Sequence, residues 1–332
     1  MSASALSLSS LAPARWRRPL PGFGLSLGLG LAWLGVIVML PLAALAFRAA
    51  GLGTEGWLRA IHDERVQAAL KLSFGTALVA ALLASLAGTL IAWVLVRYRF
   101  PGRRLFDAIV DLPFALPTAV AGIALTALYA PNGWVGRWLQ PLQDGFNRHF
   151  GAALQWLENG LNALVHLLPW GLGAWIGDFD LFPADFRVAY TSTGIVIALV
   201  FIGLPFAVRT AQPVLETLGH EQEEAAASLG ASRFTTLRRV ILPELLPALL
   251  TGFSLAFARG LGEYGSVIFI AGNKPYQTEI APLLITIRLE EYDYNGAIAI
   301  AALLLAASFV CLLAINAIPS LFAHERKGRR DG

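Results

Sequence analysis

Long uncharged runs dominate the pattern of apolar and polar positions. Residues 19–47, 72–96, 112–136, 188–208 and 295–323 contain no Asp, Glu, Lys or Arg, and residues 245–273 are interrupted only by Arg259 and Glu263. A helix needs about 20 mostly apolar residues to cross a bilayer, so each run is long enough. The pattern predicts six transmembrane helices, at about 25–47, 72–96, 108–130, 188–208, 245–270 and 296–319. They form a membrane domain over 19–323, between an N-terminal tail (1–18) and a basic C-terminal tail (324–332). The first run could instead be a signal peptide, with Ala44-Leu45-Ala46 as its cleavage site. Its apolar length exceeds the 7–15 residues of a signal core, which favours a retained helix.

Composition supports a membrane protein. Hydrophobic residues make up 56% of the 332 positions and charged ones 14%, against about 25% charged in soluble domains. The net charge is +3 and the mean hydropathy +0.62. The fold class is therefore an all-α polytopic membrane protein. A soluble enzyme and a nucleic-acid binder are excluded. Cys311 is the one cysteine, so the chain forms no internal disulfide. The five histidines lack metal-ligand spacing. Lys71, Lys274 and Lys327 are the only lysines, and none sits in a Walker A phosphate loop. No metal site, catalytic set or bound cofactor is expected.

Positive charge orients the spans. Arg97, Arg99, Arg103 and Arg104 crowd one segment, and Arg209, Arg233, Arg238 and Arg239 another. Arg15, Arg17 and Arg18 precede the first span, and Arg326, Lys327, Arg329 and Arg330 follow the last. The positive-inside rule then puts both termini in the cytoplasm. The outer loop 131–187 holds Trp134, Trp138, Trp156, Trp170 and Trp175. Within it, Leu154, Leu157, Leu161, Leu164 and Leu168 oppose Gln155, Glu158, Asn159, Asn162 and His166 at helical spacing. That pattern predicts an amphipathic helix on the outer membrane interface. It serves either as a cap on its own spans or as a docking surface.

The cytoplasmic segment 209–244 carries the most informative motif. Glu223-Glu224-Ala225-Ala226-Ala227-Ser228-Leu229-Gly230 is followed by Val240-Ile241-Leu242-Pro243. Glu224 to Leu229 favour a helix, and Gly230 suits the left-handed residue that ends one. A basic helix then resumes up to Pro243. The spacing resembles the EAA loop of binding-protein-dependent (type I, MetI-like) ABC importer permeases, with Val240 where Ile is usual. Asp111-Leu-Pro-Phe-Ala-Leu-Pro-Thr-Ala-Val-Ala-Gly122 and Val208-Arg-Thr-Ala-Gln-Pro-Val-Leu215 resemble the sulfate and molybdate group of that family. Arg97-Tyr-Arg-Phe-Pro-Gly102 and Leu261-Gly-Glu-Tyr-Gly-Ser-Val-Ile-Phe-Ile-Ala-Gly-Asn273 resemble its sulfate/thiosulfate permeases of CysT type, in which Phe and Ala are usual at Tyr264 and Ser266.

The resemblance implies a bacterial inner-membrane permease that imports sulfate and thiosulfate. ATP and Mg would be bound by a CysA-like ATPase dimer rather than by this chain. A CysW-like second permease and a periplasmic sulfate- or thiosulfate-binding protein would complete the machine. Glu223, Glu224, Ala225, Ala226, Gly230, Leu242 and Pro243 would couple to the ATPase. Molybdate or tungstate remain alternative cargoes, and an ATP-independent channel or secondary transporter is the rival of another class.

Several membrane residues are candidates for the pathway. Arg259 and Glu263, four apart, share a helix face and either pair to fix packing or attract and gate the anion. Asp111 suits the N-terminus of the third span, and Pro113 and Pro117 allow a hinge there. Thr118, Ser254 and Ser266 offer hydroxyl donors to a passing oxyanion, or to their own helix backbone.

Overall fold

The computed structural model describes residues 23–166, 187–219 and 221–328, and every regular element among them is a helix. The chain divides into two compact units after Gly51. The first holds α1 (Phe23–Leu34), a π-helical turn (Gly35–Met39) and α2 (Leu40–Ala50). The turn lies just before Pro41, which lacks an N–H and crowds the carbonyl four residues back, so the ladder widens.

The second unit begins with α3 (Gly53–His62) and α4 (Glu64–Arg97). Asp63 starts α4 by accepting the Arg65 backbone N–H at 2.9 Å. Then follow α5 (Arg103–Val110), α6 (Leu112–Ala115), α7 (Thr118–Tyr129), α8 (Trp134–His166) and α9 (Ser192–Thr217). The remainder is α10 (Glu221–Ser228), α11 (Arg233–Thr236), a π-helical turn (Leu237–Ile241), α12 (Leu242–Leu261), α13 (Val267–Ile270), α14 (Ala281–Glu290) and α15 (Tyr294–Gly328).

The centre of this unit is the packing of α4 with α9 and α12. Ala77, Ala80 and Ala81 of α4 meet Ile195 and Leu199 of α9 and Ala256, Phe257 and Leu261 of α12. In lipid, apolar side chains gain nothing by leaving the solvent, so close backbone approach must supply the attraction. Small residues permit that approach. A Cβ added to Gly88 would lie 2.6 Å from the Ala207 Cβ. A second cluster joins Ala92, Leu95 and Val110 to Val208, Leu215 and Ile241 at the end expected to face the cytoplasm. At the opposite end, Val66, Ala69 and Leu70 pack on Ala281, Leu284 and Ile300. Leu78, Leu82, Leu86 and Leu90 form an exposed apolar stripe along α4.

Among the described residues, five helices are long and apolar enough to cross a membrane: Phe23–Ala50, Glu64–Arg97, Ser192–Thr217, Arg233–Leu261 and Tyr294–Ala317. The span expected at 108–130 is in pieces, α5, α6 and α7. Leu116 and Pro117 are extended between α6 and α7, because a proline drives its predecessor out of the helical region. Alone, the twelve residues of α7 reach only about 18 Å. The helix expected at 245–270 also stops early, at Leu261, and a turn at Gly262 leads to α13.

The amphipathic helix expected from Leu154 belongs to a longer one, α8, which starts at Trp134 and includes Pro141. Trp134, Trp138 and Trp156 are exposed, whereas Asn162 is buried. Trp170 and Trp175 lie outside the described residues.

Candidate functional site

The helix–turn–helix read from residues 223–243 is present in the structure. Glu221, Glu223 and Glu224 lie in the first turn of α10, where their charge complements the helix dipole. Gly230, at φ 78°, ends α10 in a left-handed turn. Its N–H donates to the Ala227 carbonyl at 2.9 Å, and the Ala231 N–H donates to Ala226 at 3.0 Å. These two bonds form a Schellman cap. Ser232 then caps α11 by accepting the Thr235 N–H at 3.3 Å. The basic stretch passes into α12 through the π-helical turn, with Pro243 in the first turn of α12. Leu229 and Phe234 are 88% and 69% exposed at the elbow, and Glu224, Ala225 and Leu242 also face outward.

The two motif glutamates differ. Glu224 is exposed, whereas Glu223 Oε1 lies 2.7 Å from Nη2 of Arg97, the last residue of α4.

Arg259 and Glu263 form an ion pair at 2.5 Å, although Glu263 lies beyond the end of α12 rather than on it. Its carboxylate is 2% exposed. The second oxygen accepts the Ser266 backbone N–H at 2.9 Å and the Ser266 hydroxyl at 3.0 Å. Glu263 therefore stabilises the turn before α13. Ser266 spends its proton on Glu263, and Ser254 donates to the Leu250 carbonyl at 2.8 Å. Helix α7 crosses this turn at backbone contact: a Cβ on Gly122 would lie 2.5 Å from the Ser266 carbonyl oxygen. Thr118 packs beside Gly265 in the same way.

The expected capping role of Asp111 is not what the structure shows. Its side chain makes no cap bond to α6; instead it takes the Arg209 guanidinium in a two-point pair, at 2.9 Å and 2.5 Å. The arginine also donates to the Asp107 carboxylate at 2.8 Å, to the Asp107 carbonyl at 3.0 Å and to Gln212 at 2.6 Å. A two-point charged pair outcompetes a single cap bond. Burial raises the Asp107 carboxyl pKa, but hydrogen bonds from Arg209 and Gln212 outweigh it and leave the group below its ordinary value. This cluster fixes α5 and α6 to α9.

Sequence reasoning missed the pairing. The motifs around Asp111 and Arg209 are each visible, but nothing in the linear text joins residues so far apart. It also missed the clasps at the other end. Arg65 donates to Glu279 at 2.7 and 2.8 Å, and Arg288 donates to Asp63 at 3.0 Å. Among the described residues, no His, Cys, Asp and Glu cluster could hold a metal ion.

Comparison with known proteins places this geometry. The family described as "Binding-protein-dependent transport system inner membrane component" matches residues 80–324. The chain belongs to that family. It is a multi-pass inner-membrane transport subunit rather than an enzyme.

Among its relatives, the sulfate transport system permease protein CysT of Escherichia coli is 43% identical over 312 residues, covering 94% of this chain and 98% of that protein. The CysT protein of Synechocystis sp. is also 43% identical, covering 86% and 85%. The resemblance carried by the sequence motifs thus extends along almost the whole chain. A solved bacterial ABC transporter involved in import of the acidic polysaccharide alginate shares the fold, with a TM-score of 0.64, 15% identity and coverage of 90% and 95%. A second structure of an alginate ABC transporter, in complex with an alginate-bound periplasmic protein, has a TM-score of 0.63 at 16% identity, covering 88% and 92%.

Proposed function

We propose that this chain is one permease subunit of an ATP-driven importer of sulfate and thiosulfate. The observation that carries the proposal is the near full-length likeness to sulfate permeases. Sulfate is a dianion, and even one charge at the bilayer centre costs several kcal/mol or more, so the chain must supply a polar route. The five continuous apolar helices and the broken α5–α7 segment make up six crossings in this reading, with both termini cytoplasmic. A CysW-like permease completes the route, a CysA-like ATPase dimer carries ATP and Mg, and a periplasmic binding protein delivers the anion.

In this reading α10 and its Gly230 elbow are the EAA coupling helix, docked on the ATPase through Glu224, Ala225, Ala226 and Leu229. ATP binding draws the ATPases together and pulls α10. The permeases then exchange an inward-facing for an outward-facing state, because ATP binds one state better than the other. The break between α6 and α7 at Pro117 is the hinge, and the Arg259–Glu263 pair is a neutral clasp behind it. The pair's charges cancel, so a passing oxyanion is not trapped there. The exposed tryptophans of α8 support an interfacial place for the 131–187 insertion, as a cap over its own spans.

Uptake into proteoliposomes holding the full complex tests the proposal. ATP-dependent accumulation of labelled sulfate, suppressed by thiosulfate, is expected. Accumulation of molybdate or tungstate alone would overturn the cargo, and accumulation without ATP or an ATPase would overturn the machine. Gly230→Pro and Glu224→Lys are expected to abolish ATPase capture while leaving the spans folded.

A further inference from the structure

Among the described residues, one ion pair ties the coupling helix to its own bundle. None of the residues of α10 is buried, so packing does not secure it. Its side-chain link is Glu223, 2.7 Å from Arg97. The Arg97 side chain is only 7% exposed, and Glu223 30%. The guanidinium lies 5.4 Å from the centre of the Trp93 ring, one turn earlier on α4, and Nη2 is 3.4 Å from the Gly219 carbonyl just before α10. The guanidinium is thus held by the aromatic face and the Gly219 carbonyl, and it meets Glu223 as an ion pair without a hydrogen bond, since Glu223 Oε1 has no hydrogen-bond partner. The neighbouring Glu224 is exposed. The paired glutamates therefore separate into one that faces outward and one that faces the chain's own span.

We propose that Arg97 is a positioning residue that passes the displacement of α10 to α4, with Glu223 as its handle. This rests on the coupling-helix reading above. Arg97 itself does not touch the ATPase. Without the link, α10 still docks and the ATPase still turns over, but α4 no longer follows. The signature is a fall in anions moved per ATP hydrolysed, which a purely structural role would leave unchanged in the complexes that assemble.

The test uses the whole complex in proteoliposomes, with sulfate-loaded binding protein. Arg97→Gln is expected to retain ATPase capture and basal hydrolysis within twofold, and to lose about tenfold in sulfate moved per ATP, within the coupling range of one ion pair between neighbouring residues. The double variant Arg97→Glu with Glu223→Arg is expected to recover most of that ratio. An unchanged ratio in Arg97→Gln, no recovery in the swap, or loss of ATPase capture would each overturn the proposal. Should Arg97→Gln not fold and reach the membrane, Arg97→Lys replaces it; that variant keeps the charge but loses the planar fork, and a loss of about threefold is expected. A wild-type ratio there overturns the proposal equally. The underlying reading fails separately, if Glu224→Lys and Gly230→Pro leave capture and uptake intact.

Discussion

The two ends of the helix bundle are closed by the same chemistry in different surroundings. At the end expected to face the periplasm, Arg65 grips Glu279, a carboxylate only 2% exposed, within the apolar cluster of α4, α14 and α15. At the end expected to face the cytoplasm, Arg209 is 33% exposed, with Asp107 and Asp111 at 42% and 45%, and its partners sit on the short helices α5 and α6. The first arrangement sets a buried charge against a single arginine among the described residues; the second lies in water that can replace a lost partner. Burial, rather than the number of bonds, should decide how much each end resists change. One end is built to stay shut and the other to shift.

The sharpest way to break this contrast is Arg65→Gln, which leaves the buried Glu279 carboxylate without its arginine. A loss on the order of 3 kcal/mol is expected, read as a large drop in the thermal unfolding temperature of detergent-solubilised protein. Asp111→Asn is expected to cost only about 1 kcal/mol. It should lower ATP-driven uptake several-fold, because α6 and the hinge after it lose their tie to α9. Equal stability losses in the two variants would refute the contrast. The smallest effect concerns pH. The Asp107 pKa is lowered in the folded chain, so its contribution is present above the unfolded carboxylate value and fades as pH falls through the folded one. Asp107→Asn should be slightly less stable than the parent at neutral pH, by under about 1 kcal/mol, and match it in acid. A difference that persists in acid would assign the effect to shape instead of charge.

Local chemistry explains what could be read in advance. Most of the apolar runs, the Gly230 elbow and the Pro243 boundary depend on residues close together in sequence and are helical where expected; the runs at 108–130 and 245–270 are broken instead. The break at Pro117 was also visible, since a proline restricts its neighbour wherever it occurs, although its size was not. The early end of α12 was hidden, because Gly262 and Gly265 carry no charge and so do not interrupt an apolar run. Glu263 satisfies a turn rather than a helix face for that reason. Arg209 and its two aspartates stayed hidden for another: a pair between distant residues leaves no periodicity to detect. Asp111 had a plausible local partner at a helix start and took a distant one of greater strength.

Unlike the jointed segments around it, α4 runs unbroken for 34 residues. Arg65, gripping Glu279, is at its beginning, and Arg97, gripping Glu223, is its last residue. About nine helical turns separate the two, which leaves them about 40° apart around the axis. A shaft with both handles on nearly one side cannot be rolled at one end without straining the other. Torque applied at the Arg97 end would therefore reach the Arg65 end in phase, through a single rod of hydrogen-bonded backbone.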